Sequence, residues 1–340
     1  MKIVLVRSSA TPSSFLDYNE SKLEDNISSN CLLSVFGESI IIRNLNLLNS
    51  LYDIEKIVVP KELKVLIPII RHSFKFVIEE VDWVNCNKSI NATMFEGKIN
   101  KCNSLATYTE SKTTSNNSNI NQKHEILNPN NDIVFLPCNV IVRNDVSNKS
   151  LECHRFDYPW DFLDAINNLL KSEIKKTSIS PKSQIAKSSV IEGPCIIEEG
   201  VVIDDFVKIR GPAYIGKGSF IGMGSLIRNS ILEYNSNIGF NCEIGKSYLA
   251  GNAKVSHHNV ILDSLIGKNV WFGGYSGTAN VLLTRKNIQY VIDGKLEDTG
   301  KNHFGAVVSN NSSIGASVII LPGRKIPPNS MIPAGTIYKK

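Results

Sequence analysis

From Ile179 to Ile227 an isoleucine recurs at every sixth position without a miss: Ile179, Ile185, Ile191, Ile197, Ile203, Ile209, Ile215, Ile221 and Ile227. Neither the helix period of 3.6 nor the strand period of 2 asks for one residue type at every sixth place. A chain that turns a corner every six residues does, because each side of a triangular coil sends one aliphatic side chain into a shared interior. The pattern predicts a parallel β-helix. The frame then slips by one, to Leu232, Ile238 and Ile244. A last register stands at Val308, Ile314, Ile320, Ile326 and Ile332. The repeat region therefore spans 178–340. Between the registers, near 281–303, lies a non-repeating insertion whose Ile288–Ile292 run ends in Asp293-Gly294, the signal of a tight hairpin turn. It is read as a hairpin arm leaving the coil. Gly216, Gly218, Gly222, Gly239 and Gly245 fall near corners, where a side chain would hinder the backbone.

The first half has another texture. Ile3–Val6, Lys56–Val59, Phe74–Ile78 and Ile133–Leu136 read as strands, and Ser39–Leu51 and Lys61–Arg71 as helices. The alternation predicts a parallel α/β sheet over 1–157. Ser111–Asn131, rich in Ser, Thr and Asn, buries little apolar surface and is read as a mobile loop. Trp160–Leu170 is an amphipathic helix within a 158–177 linker.

At 340 residues the chain has room for two domains, and 42% hydrophobic residues suit a globular protein. The net charge of +5 is mild; without a basic stripe interleaved with aromatics it argues against nucleic acid and remains compatible with an anionic small substrate. Seven cysteines without a Cys-x-x-Cys pair read as reduced thiols of a cytoplasmic protein rather than a disulfide or zinc framework. The start, Met1–Arg7, is too short an apolar run for a signal peptide, and no stretch approaches the roughly 18 apolar residues that span a bilayer. No membrane partner is expected. His72, His124, His154 and His303 show no metal spacing.

The ladder, followed by Val255-Ser256-His257, Ile266–Val270 and Ala279-Asn280, resembles the sugar-1-phosphate nucleotidylyltransferases that carry a C-terminal left-handed β-helix, above all the archaeal-type bifunctional enzymes. The resemblance covers Tyr158–Lys340, and Tyr158–Ala165 is similar to the helix joining their two domains. It implies a truncated, Rossmann-like α/β nucleotidylyltransferase-like domain, followed by an all-β left-handed parallel β-helix. It also implies a homotrimer that acetylates the amine of a hexosamine-1-phosphate with acetyl-CoA, in sugar-nucleotide biosynthesis. His257 matches the family's general base; an imidazole titrating near neutrality can take the amine's proton. The other reading is a surface histidine on a coil. Asn280 matches a substrate-binding asparagine, or is a corner residue. Lys286 matches an arm lysine that affects acetyl transfer, or is a solvated charge. Arg228 matches an arginine that meets the sugar phosphate in a forked geometry. Gly305 and Ala306 match the re-entry after the arm, where backbone amides meet the thioester and could stabilise an oxyanion.

The departures are equally specific. Val260 replaces a family tyrosine, Trp271 a small polar residue, and Gln289 a second arm lysine. Gly245 stands where a substrate-binding lysine is expected, with Lys246 beside it as the candidate cation. In the amino-terminal half, Arg7–Pro12 lacks the glycines of a phosphate-wrapping loop, and Cys138-Asn139 replaces the Gly-Asp that holds magnesium. No magnesium is expected, and nucleotidyl transfer is read as lost. Three readings follow: an acyltransferase, a nucleotidylyltransferase with atypical motifs, or a non-catalytic subunit that assembles with an active paralogue.

Overall fold

A computed structural model of the chain describes residues 2–7, 34–51, 54–60, 66–75, 77–81, 125–126, 133–137, 140–145, 150–156, 158–292 and 294–339. In the first half, strands Lys2–Arg7, Ile54–Pro60, Val77–Val81 and Ile133–Pro137 form one sheet, all parallel, with Lys2–Arg7 between Ile54–Pro60 and Ile133–Pro137. Helices Ile40–Leu51 and Leu66–Ser73 lie in the connections between these strands, as parallel pairing requires. The second helix is described over Leu66–Ser73, with Pro68 in its first turn, where a missing N–H costs nothing; residues 61–65 lie outside the described residues. It runs later than its apolar spacing suggests, Phe74 still donating to Ile70 at 2.8 Å, so the next strand begins at Val77. One expectation is corrected: within the Ser111–Asn131 loop, Glu125–Ile126 is a strand, pairing antiparallel with Ser150–Arg155. The rest of that loop, the Ser8–Pro12 segment and Cys138-Asn139 lie outside the described residues.

The second half is a parallel solenoid of three eight-stranded sheets. The first face runs from Ser178–Ile179 to Arg324–Ile326, the second from Gln184–Ile185 to Met331–Ile332, and the third from Val190–Glu192 to Ile337–Tyr338. On the first face Ile179, Ile197, Ile215, Leu232, Leu249, Ile266, Val308 and Ile326 stack in register. The slip in the ladder is a shortened corner. Coils of 18 residues, with Ile197 on Ile215, give way to three of 17, with Ile215 on Leu232, Leu232 on Leu249 and Leu249 on Ile266. The missing residue falls each time between the third and first faces, at Asn229, Lys246 and Asp263, whose φ values are 48, 48 and 46°. The buried serines that follow form a ladder: Ser230 Oγ accepts from the Ser247 amide and Ser247 Oγ from the Ser264 amide, both at 3.1 Å. At the corner between the first and second faces, Asn235, Asn252, Asn269, Asn311 and Asn329 all take positive φ, a conformation asparagine tolerates. Their amides chain at 2.9–3.3 Å.

The interior is mostly aliphatic. Ile244→Ala, in mid-solenoid and fully buried, is expected to cost about 2–5 kcal/mol in urea unfolding. Ile179→Ala, at the open end and 42% exposed, should cost well under ~1 kcal/mol.

Among the described residues, the first face is the one covered on its outside. Tyr214, Ile231, Tyr248, Leu265 and Val307 point outward from it into a second core with Phe156, Trp160, Phe162, Ile166 and Leu170. Most of that cover is helix Pro159–Glu173, whose start is fixed by Pro159 and by the Tyr158 amide donating to Asp161 at 3.1 Å. The arm folds back onto the same helix. Its strands Gln289–Ile292 and Lys295–Asp298 form the expected hairpin, with Gly294 at φ 75°. Tyr290 and Phe304 meet Trp160 edge-on at 5.6 and 6.1 Å, and Lys301 pairs with Asp164. The amino-terminal unit also docks on this side. Phe36 packs on Tyr214 at 5.3 Å, Gly37 donates its amide to buried Glu233 at 3.0 Å, and Arg43 pairs with Glu173. Among the described residues no helix is long and apolar enough to cross a membrane.

Candidate functional site

His257 sits at the corner between the second and third faces. Val255 fills the interior before it. Buried Asn259 pins the turn after it, donating to Ser256 O and accepting from the Ser276 amide, both at 2.8 Å. The imidazole is exposed, and its Nδ1 accepts the Phe240 backbone N–H at 3.1 Å. An amide N–H is an obligate donor, so this contact places the proton of the neutral ring on Nε2. His258 has a different task. At φ 56° it continues the corner column of Asn241 and Tyr275, with Asn241 at 3.2 Å and its ring stacked on Tyr275 at 4.8 Å. Exposed apolar side chains lie around His257, among the polar Asn241, His258 and Lys254. Phe240, Val260 and Trp271 are each 43% exposed and Tyr275 65%, so the positions at which Val260 and Trp271 depart from the family offer hydrophobic surface.

The other candidates gather at the corner between the third and first faces. Arg228 lies across Gly245, where a Cβ would stand 2.7 Å from the guanidinium carbon. The glycine therefore makes room for the arginine. Arg228 Nε and Nη2 both bond one oxygen of Glu243 at 2.8 Å, a pair a phosphate would have to share or displace. Lys246 is exposed at the corner, one coil before Asp263. Asn280 occupies the next place in that column and donates to Asp263 Oδ2 at 2.6 Å. Lys286 is exposed on the arm. Gly305 and Ala306 re-enter the coil here, but their amides are engaged: Gly305 N–H donates to Asp263 O at 2.8 Å, and Ala306 N–H to Ser264 Oγ at 3.0 Å. Within the single chain neither amide is left over for an oxyanion.

Within one chain the candidates are not brought together. His257 and Asn280 stand on different corners with the third face between them, six residues or about 20 Å of extended chain. Phe240, Glu243, Asp263 and Ser264, which hold the candidates, escaped the sequence reading. The contacts to Arg228, His257 and Asn280 join residues 15 to 17 apart, so reading the chain at a 17-residue coil period would have paired them, while those of Gly305 and Ala306 reach across the arm.

Stacked triangular coils with an aliphatic ladder and one hairpin arm define the hexapeptide-repeat class of β-helix, and residues 194–229 match the bacterial transferase hexapeptide family (six repeats). The coil is left-handed. The carboxy-terminal half is similar to the bifunctional protein GlmU of Methanococcus maripaludis, 36% identical over 91 residues, 27% of this chain and 22% of that protein. It is also similar to the bifunctional sugar-1-phosphate nucleotidylyltransferase/acetyltransferase of Sulfurisphaera tokodaii, 32% identical over 95 residues, 28% of this chain and 24% of that one. The matched part spans less than a quarter of the length of either relative. A solved structure, the putative acetyltransferase of Bacillus cereus, is 22% identical with a TM-score of 0.29, covering 44% of this chain and 71% of its own.

Proposed function

We propose that the chain transfers the acetyl group of acetyl-CoA to the amine of a hexosamine-1-phosphate, at sites completed between neighbouring coils of a homotrimer. The observation that carries this reading is the split of the candidate residues over two corners. The first face is covered by the chain's own helix and arm, which leaves the second and third faces, and the His257 corner between them, for a neighbouring copy. A threefold assembly lays one copy's corner against another's face, so His257 of one copy can meet Asn280, Arg228, Lys246 and Lys286 of the next. The similarity to bifunctional relatives supports the substrate class. Nucleotidyl transfer is read as lost from the amino-terminal half, on the residues at 8–12 and 138–139.

Thiol release from acetyl-CoA with glucosamine-1-phosphate and galactosamine-1-phosphate tests the proposal. One of the two should be turned over, and His257→Ala should lower the rate at least ~100-fold. Equal rates for the two proteins would remove His257 from the chemistry. The engaged Gly305 and Ala306 amides and the Arg228–Glu243 pair favour one alternative, a non-catalytic subunit. In that case the pure protein would release no thiol and would co-purify with an active paralogue. Magnesium-dependent pyrophosphate release from a nucleoside triphosphate and a sugar-1-phosphate would overturn the loss of nucleotidyl transfer.

A further inference from the structure

We infer that His257 acts as a hydrogen-bond donor through Nε2–H, polarising the thioester carbonyl, and not as the proton acceptor for the amine. The inference rests on the acyl-transfer reading above and assigns the ring a different part in it. Three observations meet. First, Nδ1 receives the Phe240 amide at 3.1 Å, and which nitrogen carries the proton follows from the partner of the other. A histidine that serves as a base through Nε2 keeps its proton on Nδ1, held by a carbonyl or carboxylate. Among the described residues neither kind of group bonds the His257 ring. Secondly, the turn is rigid. Asn259 ties Ser256 to the next coil, and the Gly239 backbone lies so close that a Cβ there would stand 3.0 Å from His257 Nδ1. Thirdly, the amides that could have formed an oxyanion hole, Gly305 and Ala306, already have acceptors. An acyl-transfer site still needs a donor where negative charge develops. Nε2–H is a donor on the exposed side of the His257 corner, and a neutral imidazole in this electrophilic role is chemically sound.

The step balances without a base on the protein. The hexosamine ammonium loses its proton to solvent and binds as the free amine. Its lone pair attacks the thioester carbon, a C–N bond forms, and the carbonyl π pair moves to oxygen, where Nε2–H holds it. On collapse the oxygen pair re-forms the carbonyl, the C–S bond breaks, and the thiolate leaves with the C–S bonding pair. The proton shed by nitrogen goes to the thiolate through water, giving amide and thiol. Phe240 is the positioning residue, acting through its backbone amide.

Two arms test this. The nitrogen-15 shifts of His257 in the full-length protein, assigned by loss of the signals in His257→Asn, read the tautomer without any substrate. Nε2–H is expected, and Nδ1–H would overturn the inference whatever the kinetics. In the second arm His257→Gln places a side-chain NH2 where Nε2 stands, and His257→Asn places an acceptor near Nδ1 without that donor. With the hexosamine-1-phosphate that the wild type turns over, Gln should retain at least ~10% of kcat, while Asn and Ala fall ~100–1,000-fold, the cost of removing one oxyanion donor. Equal loss in all three would contradict the donor role. Absence of turnover in the wild type would instead sink the acyl-transfer reading, and with it the catalytic role, leaving the tautomer to be decided by the first arm.

Discussion

Gly305→Ala is expected to destabilise the coil by about 3 kcal/mol, the scale of overpacking a close-fitted backbone. At the arm's re-entry an added Cβ would overlap Ser264 Oγ and the Leu262 carbonyl oxygen. The hydroxyl cannot move away freely, because Ser264 Oγ accepts the Ala306 amide at 3.0 Å and lies 2.9 Å from Thr278 Oγ1. Nor can the carbonyl, which belongs to a strand paired on one side with Glu243–Gly245 and on the other with Gly277–Thr278. The chain must therefore shift where it resumes the ladder at Val308. The melting temperature should fall by roughly 6–12 °C. Gly294→Ala at the arm tip is the control. Nothing stands within 4 Å of a Cβ there, and only the positive φ of 75° opposes it, at about 1–2 kcal/mol. A fall at Gly294 equal to that at Gly305 would mean that close approach is not what selects glycine at the re-entry.

Glu233 should make the stability of the chain fall as pH rises toward neutrality. Its carboxyl is buried where the amino-terminal unit docks on the coil. One oxygen receives the Gly37 amide, and Oε1 has no hydrogen-bond partner among the described residues. Burial pushes its pKa from 4.5 up to about 7, partly offset by the amides of Gly37 and Phe36 and by Lys268, while Glu198 adds to the rise. Tyr214 and Tyr248 also feel its charge, but burial raises both above their ordinary range, so they stay neutral in this window. The folded state thus binds the proton more tightly than the unfolded chain. The stability this contributes is complete below pH 4.5 and is lost as pH rises through about 7. The shift corresponds to about 3 kcal/mol at most. Glu233→Gln keeps an acceptor for the amides and removes the titration. It should melt near or below the wild type at pH 5 and above it at pH 8.5. Parallel melting curves across that range would show that the Glu233 carboxyl does not titrate between those values.

The ladder from Ile179 to Ile227 was legible because two successive coils of 18 residues, and the three faces of the next up to its shortened corner, keep one residue type. Beyond it the same interior continues through Leu249, Val255, Ile261, Ile266, Phe272 and Thr278. Five-residue corners at Asn229, Lys246 and Asp263 break the frame, and a polar Thr278 takes an inward place by bonding the Leu262 amide at 3.0 Å. Hydrophobic identity at a fixed spacing could not survive both changes. The site was legible only through resemblance to a family. His257, Asn280 and Lys286 were singled out by that resemblance alone, and the partners of His257 and Asn280 are set by coil stacking. Phe240 offers a backbone amide, which any residue supplies, so no side-chain pattern could reveal that His257 Nδ1 accepts it. Gly245, read as a lost lysine, is the place where the Arg228 guanidinium lies.

The central claim is that His257 of one copy and Asn280 of the next complete a single site. It is tested most directly by co-expressing two variants, His257→Ala and Asn280→Ala, each inactive alone in acetyl-CoA thiol release. In randomly mixed trimers about a quarter of the interfaces pair an intact His257 with an intact Asn280. The mixture should therefore recover ~25% of wild-type activity. A mixture no more active than its parents would contradict a shared site and would require each chain to act, if it acts at all, alone.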